Sequence, residues 1–199
     1  GFTVFPMIEH EADDAMGAAA VKAAADQRVE RVLICTPDKD LAQCVSADSR
    51  IVQFDRRREI VYDWDGVVDK FGVTPPSIPD WLALVGDSAD GIPGLAGWGA
   101  RSSAIVLSRY GHIDHVPNSH EDWDIKVRGA ERLAGTLVEH RSDALLYRRL
   151  ATLDLEAPVM ADVDELHWTG PLDHLVTMCS HLDAPRLGAR AAKLAETRN

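Results

Sequence analysis

Three short acidic clusters lie at the junctions between predicted helices and strands. They are Glu11, Asp13 and Asp14, then Asp38 and Asp40, then Asp87 and Asp90. Two carboxylates about 4 Å apart repel each other by roughly 4 kcal/mol at an effective dielectric constant near 20, so a fold that gathers the clusters needs a compensating cation. Mg²⁺ and Mn²⁺ prefer carboxylate oxygens, and a pair of such ions suits phosphate chemistry. The clusters therefore predict a divalent-metal site.

Each cluster also has a simpler interpretation. Glu11 to Asp14 precede an alanine-rich run over 15–21, and acidic residues favour a helix N-terminus. Asp38 and Asp40 follow the apolar segment 31–35 and a Thr-Pro turn, where a helix cap would use only one aspartate. Asp87 and Asp90 are three residues apart, so a helical or turn-like backbone places both on one face, where they repel. Capping explains single clusters, whereas a metal site explains their combination.

A glycine-rich segment follows the third cluster and leads into a helix predicted over 102–110. Gly94, Gly97 and Gly99 precede Arg101 and Ser102. Gly97 and Gly99 permit a positive φ and close approach of the backbone, so that amides before the helix can face a phosphate. An ordinary tight turn needs fewer glycines. The pattern is typical of a helix-hairpin-helix, which contacts the nucleic-acid backbone rather than its base sequence.

A run of three arginines, Arg56, Arg57 and Arg58, has two interpretations of equal weight. It lies between predicted strands at 50–54 and 59–62. The run is either a phosphate-contacting patch or the solvated tip of a hairpin. The formal net charge of −11 opposes charge-driven binding to DNA over most of the surface, so any phosphate contact needs a local basic patch.

The order and spacing of these motifs resemble those of one protein family. Glu-Ala-Asp-Asp, Thr-Pro-Asp-Lys-Asp-Leu and Gly-Asp-x-x-Asp-x-x-Pro-Gly, followed by Gly-x-Gly, are similar to the motifs of bacterial 5′-3′ exonucleases and flap endonucleases, over residues 1–155. The resemblance implies a nuclease with two Mg²⁺ or Mn²⁺ ions that cleaves DNA near a 5′ end, flap or junction. It also implies a K⁺ ion at the hairpin and a DNA polymerase as a partner.

The resemblance assigns roles residue by residue. Glu11, Asp13, Asp38 and Asp40 correspond to catalytic ligands of the metal nearer the scissile phosphate, and Asp14, Asp87 and Asp90 to the other metal or its waters. Gly94, Gly97 and Gly99 match the DNA-binding hairpin, with Arg101 in place of the usual lysine and Ser102 in place of threonine.

The implied fold is α/β, with an incomplete parallel-sheet core of the PIN or Rossmann-like kind and a helical helix-two-turn-helix subdomain. We expect the core over 1–76, the DNA-binding subdomain over 77–155 and a helical extension over 156–199. The family's first strand, with its metal-binding aspartate, and its basic arch have no counterpart here, so we expect a fragment of a longer protein. A non-catalytic DNA-junction binding module is therefore an alternative. A Toprim-like fold would explain the glutamate and Asp38-x-Asp40, but not Asp87, Asp90 and the hairpin.

The remaining residues add less specific expectations. Cys35, Cys44 and Cys179 lack metal-ligand spacing and are predicted to be reduced core thiols of a cytoplasmic protein. No segment approaches the roughly 20 apolar residues that span a membrane. We predict a core position for Trp98, and surface positions rather than a zinc site for His112 and His115.

Overall fold

The computed structural model of the protein describes residues 1–197, which contain three β-strands and eight α-helices. The strands are β1 (Val32–Ile34), β2 (Ile51–Asp55) and β3 (Ile60–Tyr62). The helices are α1 (Ala12–Ala25), α2 (Trp64–Phe71), α3 (Ile78–Val85), α4 (Ala100–Tyr110), α5 (Ala130–Glu139), α6 (Arg141–Ala151), α7 (Leu175–His181) and α8 (Pro185–Glu196). A 3₁₀ helix spans Asp40–Cys44.

The sheet has the strand order β1-β2-β3 and is mixed rather than wholly parallel. β1 and β2 are parallel, with Leu33 opposite Val52. β2 and β3 are antiparallel, with Phe54 opposite Val61, which confirms the predicted hairpin around the arginine run. The predicted parallel core is thus limited to one strand pair within residues 1–197.

Helix α1 packs closely against its neighbours because its buried positions carry small residues. Ala15, Ala18 and Ala20 are all buried. A Cβ added at Gly17 would lie 2.9 Å from Leu155 Cδ2 and 3.2 Å from Cys44 Sγ, so a larger residue would have to displace these side chains. This close packing fixes the N-terminus of α1 beside the 3₁₀ helix, which places the first acidic cluster near the second.

The larger apolar core lies among the helices that follow the sheet. α3 is buried along its length, and it packs against α4 and α6. Trp98 is 6% exposed, and its indole Nε1 donates to the Leu133 carbonyl at 3.2 Å, which confirms the predicted core position. The glycine-rich segment is therefore anchored from beneath by an aromatic ring.

A buried carboxylate joins three parts of this helical region. Asp80 in α3 is 1% exposed, and its Oδ1 accepts from the backbone N–H of Ile113 at 2.9 Å. His112 Nδ1 lies 2.8 Å from Asp80 Oδ2, and Arg148 of α6 donates to Asp80 Oδ1 at 3.4 Å. The surface position predicted for His112 is therefore only half right, because one edge of its ring is held by a core carboxylate.

The cysteines differ in accessibility. Cys44 and Cys179 are buried, as predicted, and burial raises the pKa of the Cys44 thiol to about 12. The prediction of a core thiol is wrong for Cys35, which is exposed. Successive side chains of a strand point to opposite faces, and Leu33 and Cys35 share a face on which Leu33 is also exposed.

No helix within residues 1–197 combines the length and the apolar character needed to cross a bilayer. The N-terminal segment instead packs against the C-terminal part of the chain, with the rings of Phe2 and Trp168 stacked at 5.4 Å.

We expect Asp80→Asn to lower the free energy of unfolding by about 2–4 kcal/mol, because it leaves Arg148 and His112 without their buried anion. Asp69→Asn, on the exposed face of α2, is the matched control and should change stability by less than about 0.5 kcal/mol. Urea titration followed by circular dichroism measures both. Equal stabilities for the two variants would contradict the structural role of Asp80.

Candidate functional site

The fold brings the three acidic clusters to one place. Glu11, Asp13 and Asp14 occupy the N-terminus of α1, while Asp38 and Asp40 follow β1 at the start of the 3₁₀ helix. Asp87 and Asp90 lie in the loop after α3. Both α1 and α3 pack against the 3₁₀ helix, so this short element brings the three clusters close together.

Three carboxylates from two of these clusters converge most closely. Within residues 1–197, one oxygen each of Asp40, Asp87 and Asp90 lies within 4.8 Å of the other two. Asp40 and Asp87 are buried, and Asp90 is exposed. Asp40 Oδ1 is buried without a hydrogen-bond partner. An all-oxygen set with an unsatisfied buried oxygen fits a hard divalent cation such as Mg²⁺ or Mn²⁺.

The protonation behaviour of the cluster reflects burial and mutual repulsion. Burial, followed by the charges of Asp90, Asp38, Asp87 and Asp13, raises the pKa of Asp40 to about 7. Burial, followed by the charges of Asp38 and Asp90, raises the pKa of Asp13 to about 6. Burial and the charge of Asp87 also raise the pKa of Asp90. The unneutralised carboxylates are therefore costly to keep charged together.

Backbone and side-chain hydrogen bonds hold the two loops that carry these acids. Asp87 and Ile92 exchange two backbone hydrogen bonds at 2.8 Å, which presents Asp90 on the intervening turn. The buried Gln53 donates from Nε2 to the carbonyls of Thr36 and Asp38. These contacts fix the backbone positions of the two loops from which the carboxylates extend.

Gln43 connects the 3₁₀ helix to the end of α6. Its Nε2 donates to the carbonyls of Asp40 and Ala151, each at 2.9 Å, and its Oε1 accepts from the N–H of Leu153 at 3.1 Å. Neither Gln43 nor Gln53 was identified from the sequence. Their partners lie up to 110 residues away, and no local pattern encodes such a pairing.

The first cluster divides into two kinds of residue. Asp13 interacts electrostatically with Asp38 and Asp90, so it faces the converging carboxylates. Asp14 instead caps its own helix: Oδ2 accepts from the N–H of Glu11 at 2.9 Å and Oδ1 from the N–H of Asp154 at 2.8 Å. Glu11, the N-cap residue of α1, is exposed next to Asp13. The converging group thus joins Asp40 to Asp87 and Asp90, whereas the family resemblance grouped Asp40 with Glu11 and Asp13.

A lysine lies inside the acidic cluster. Lys39 Nζ is 2.5 Å from Asp87 Oδ2, and its charge lowers the pKa of Asp90, against the raising effects of burial and Asp87. In the sequence, Lys39 is one residue of the Thr-Pro-Asp-Lys-Asp-Leu motif, between two aspartates. The Asp38-Lys39-Asp40 spacing was the signal that could have indicated a cation within the site.

The three glycine positions of the hairpin differ in whether the local structure requires glycine. Gly94 has φ of +70°, and a Cβ there would lie 2.6 Å from Gly86 N, so both conformation and space require glycine. Gly97 has φ of +84°, and an added Cβ would meet the guanidinium of Arg132 at 3.2 Å. Gly99 has ordinary φ of −140° and open space around it. Only the first two positions depend on glycine for their backbone shape.

The start of α4 presents backbone donors to solvent. The N–H of Gly99 donates to Ser102 Oγ at 3.0 Å, so the hydroxyl of Ser102, a residue of the predicted DNA-binding hairpin, caps the helix. The N–H groups of the first helical turn, which includes exposed Arg101, have no intrahelical acceptor. This end of the helix can therefore attract an anion.

The arginine run forms the exposed turn between β2 and β3. The N–H groups of Arg57 and Arg58 donate to Asp55 Oδ1 at 2.9 and 3.1 Å. Arg58 Nη1 also lies 3.6 Å from Asp55 Oδ2. Asp55 thus shapes the hairpin tip, and Arg56 at this tip is exposed.

Comparison with known families agrees with this architecture. Residues 1–72 match the family described as "5′-3′ exonuclease, N-terminal resolvase-like domain", and residues 73–174 match "5′-3′ exonuclease, C-terminal SAM fold". The chain belongs to the 5′-3′ exonuclease family. The sheet with its acidic clusters lies in the first match, and Asp87, Asp90 and the glycine hairpin lie in the second.

Curated relatives of this exonuclease-family chain include two kinds of protein. It is 37% identical over 165 residues to DNA polymerase I of Pseudomonas aeruginosa, which covers 79% of this chain and 17% of the polymerase. It is 37% identical over 121 residues to a 5′-3′ exonuclease of Aquifex aeolicus, which covers 59% of this chain and 40% of the relative.

A solved structure shares the fold. The bacteriophage T5 flap endonuclease, in a pseudo-enzyme–product complex with DNA and metal ions, has a TM-score of 0.60 and 17% sequence identity to this chain. The similarity covers 95% of this chain and 62% of the endonuclease. The family member described here thus spans less than two thirds of each of these three proteins.

We expect the stability difference between Asp40→Asn and the wild type to depend on pH when metal is removed with EDTA. The pKa of Asp40, about 7 against an ordinary 3.8, is raised by folding, so the ionised side chain destabilises the fold above pH 7 and its protonation relieves this below pH 7. The neutral variant should therefore be more stable than the wild type at pH 8, with the advantage shrinking toward pH 5. Urea unfolding across this range measures it; a pH-independent difference would contradict the repulsion.

Gly94 and Gly99 of the hairpin should differ in their tolerance of alanine. Gly94→Ala should lower the free energy of unfolding by about 2 kcal/mol or more, because alanine meets both an unfavourable φ and a backbone clash. Gly99→Ala should cost less than about 1 kcal/mol. Thermal unfolding of the pair tests this, and equal losses would show that the hairpin conformation is not constrained at Gly94.

Proposed function

We propose that this chain is part of a divalent-metal-dependent 5′-3′ exonuclease or structure-specific flap endonuclease that hydrolyses DNA phosphodiesters. One observation carries the proposal: the buried, unpartnered oxygen of Asp40 converges with Asp87 and Asp90 in a chain that belongs to the 5′-3′ exonuclease family. A group of acids with this geometry is suited to cations rather than to capping alone.

We assign two Mg²⁺ or Mn²⁺ ions to the site. When bound, they supply a water activated for in-line attack and neutralise charge on the phosphate and the leaving oxygen. Asp40, Asp87 and Asp90 are the ligands proposed for one ion. Asp13, Glu11 and Asp38 are the ligands proposed for the other. We assign Asp14 to the water shell, because both of its oxygens accept backbone N–H groups.

The hairpin and the basic turn are proposed to hold DNA. The first-turn amides of α4 and the side chain of Arg101 offer donors to one backbone phosphate. Gly94 and Gly97 shape the loop before them, Gly99 and Ser102 complete the cap, and a K⁺ ion at this hairpin is part of the proposal. Arg56, Arg57 and Arg58 supply further phosphate contact. The net charge of −11 restricts binding to such local surfaces.

The substrate in this proposal is DNA with a 5′ end, flap or junction. The DNA-bound phage endonuclease supports this choice through its shared fold, and the polymerase relative supports a DNA polymerase as a partner. The cytoplasmic location remains a prediction. A non-catalytic DNA-junction module is the second candidate, favoured by the ion pair between Lys39 and Asp87, which places a cation of the chain itself at the acidic site.

We expect Asp38→Ala combined with Asp40→Ala to reduce cleavage of a 5′-flap DNA by on the order of 10³-fold or more, because it removes proposed ligands of both ions. Binding of the same DNA should change little, since the hairpin is untouched. Cleavage is measured with Mg²⁺ or Mn²⁺ against an EDTA control, and binding by gel shift.

The outcomes separate the two candidate functions. Metal-dependent cutting by the wild type, lost in the double variant, supports the nuclease. DNA binding without cutting by the wild type supports the junction module. Cutting that survives in the double variant would refute the assigned metal ligands. Arg101→Glu, which should weaken the gel shift, is the control for binding through the hairpin.

A further inference from the structure

Lys39 occupies an unusual position for a residue in a candidate metal site. Its ammonium lies 2.5 Å from Asp87 Oδ2, and the Asp87 side chain is only 1% exposed. Asp87 is also one of the three carboxylates that converge. The chain itself therefore places a positive charge where the proposed ion would take a ligand.

The pairing is specific within the part of the chain that the structure describes. No other ion pair among residues 1–197 involves Asp40, Asp87 or Asp90; the ion pairs of Arg28, Arg109 and Arg148, for example, go to other acids. Lys39 is thus the charge that directly offsets repulsion among the converging carboxylates.

The geometry allows this cation to leave without disturbing the fold. The Lys39 side chain is 35% exposed and reaches the acid through a flexible four-carbon stem, so Nζ can rotate into solvent. The backbone of Lys39 is held separately, because its carbonyl accepts from the N–H of Ala42 at 3.1 Å at the start of the 3₁₀ helix. Departure of the ammonium would free Asp87 Oδ2 as a ligand.

We propose that Lys39 is an internal counter-ion that competes with the divalent metal for Asp87. It stabilises the metal-free site and weakens metal binding, so that it sets the metal concentration at which the site fills. This inference rests on the proposed metal site. It adds a positioning residue that acts through Asp87 rather than on the substrate.

Binding of Mn²⁺ to the full chain tests the competition directly. The free Mn²⁺ signal in electron paramagnetic resonance gives the dissociation constant without any cleavage assay. Lys39→Met and Lys39→Gln should bind Mn²⁺ about five- to tenfold more tightly than the wild type, because the competing charge is gone. Lys39→Arg, which keeps a cation, should stay within about twofold of the wild type.

A matched control removes a positive charge elsewhere. Lys22 lies near the C-terminal end of α1. Lys22→Met therefore removes one positive charge, as Lys39→Met does, without touching the acidic cluster. Its Mn²⁺ affinity should equal that of the wild type. Thermal unfolding adds a second readout: Lys39→Met should unfold at a lower temperature than the wild type in EDTA, and saturating Mn²⁺ should remove the difference.

Failure of this inference differs from failure of the proposed function. Wild-type binding of Mn²⁺ that is lost in Asp87→Asn, together with unchanged or weaker affinity in both neutral Lys39 variants, overturns the competition alone. Absence of Mn²⁺ binding by the wild type overturns both the competition and the metal site. An equal gain in Mn²⁺ affinity in Lys22→Met also overturns the competition, because the effect would then come from net charge.

Discussion

Repulsion among carboxylates is the constraint on which the rest of this structure depends. Burying Asp40 and Asp87 beside other acids is unfavourable unless a cation offsets their charge, and the raised pKa of Asp40 reflects that cost. The fold supplies the rigidity to hold them: the paired backbone of Asp87 and Ile92, and the carbonyl contacts of Gln53. The fold thus holds the acids in an unfavourable arrangement that a bound cation would stabilise.

The site also depends on how residues 1–72, the sheet region, are joined to residues 73–174, the helical region. Asp40 comes from the sheet region, whereas Asp87 and Asp90 come from the helical region. Gln43 ties the 3₁₀ helix to the end of α6, and Asp80 ties α3 to α6 through Arg148. A shift of α3 would move Asp87 away from Asp40. Asp80 therefore acts on the geometry of a site that it does not touch.

Local patterns predicted the β2–β3 hairpin, the helix after the glycine-rich segment and the acidic clusters, because strand alternation, helix signals and glycine runs are short-range properties. The hairpin around the arginines and the core position of Trp98 are confirmed on this basis. The grouping of Asp40 with Asp87 and Asp90, the capping role of Asp14 and the Lys39 pairing were not predictable. Each depends on a partner from another element, and residue type alone does not say which neighbour folding will supply. The roles of the acids and of the hairpin in catalysis and DNA binding remain predictions.

The uneven burial of the cysteines gives this chain a built-in site for chemical labelling. Cys44 and Cys179 are enclosed by the core, so a thiol reagent meets Cys35 first. Cys35 comes directly after β1 and three residues before Asp38. A fluorophore attached there would sit next to the acidic loop without occupying it. Changes in its emission would then follow the loop in real time, with no residue of the carboxylate cluster replaced.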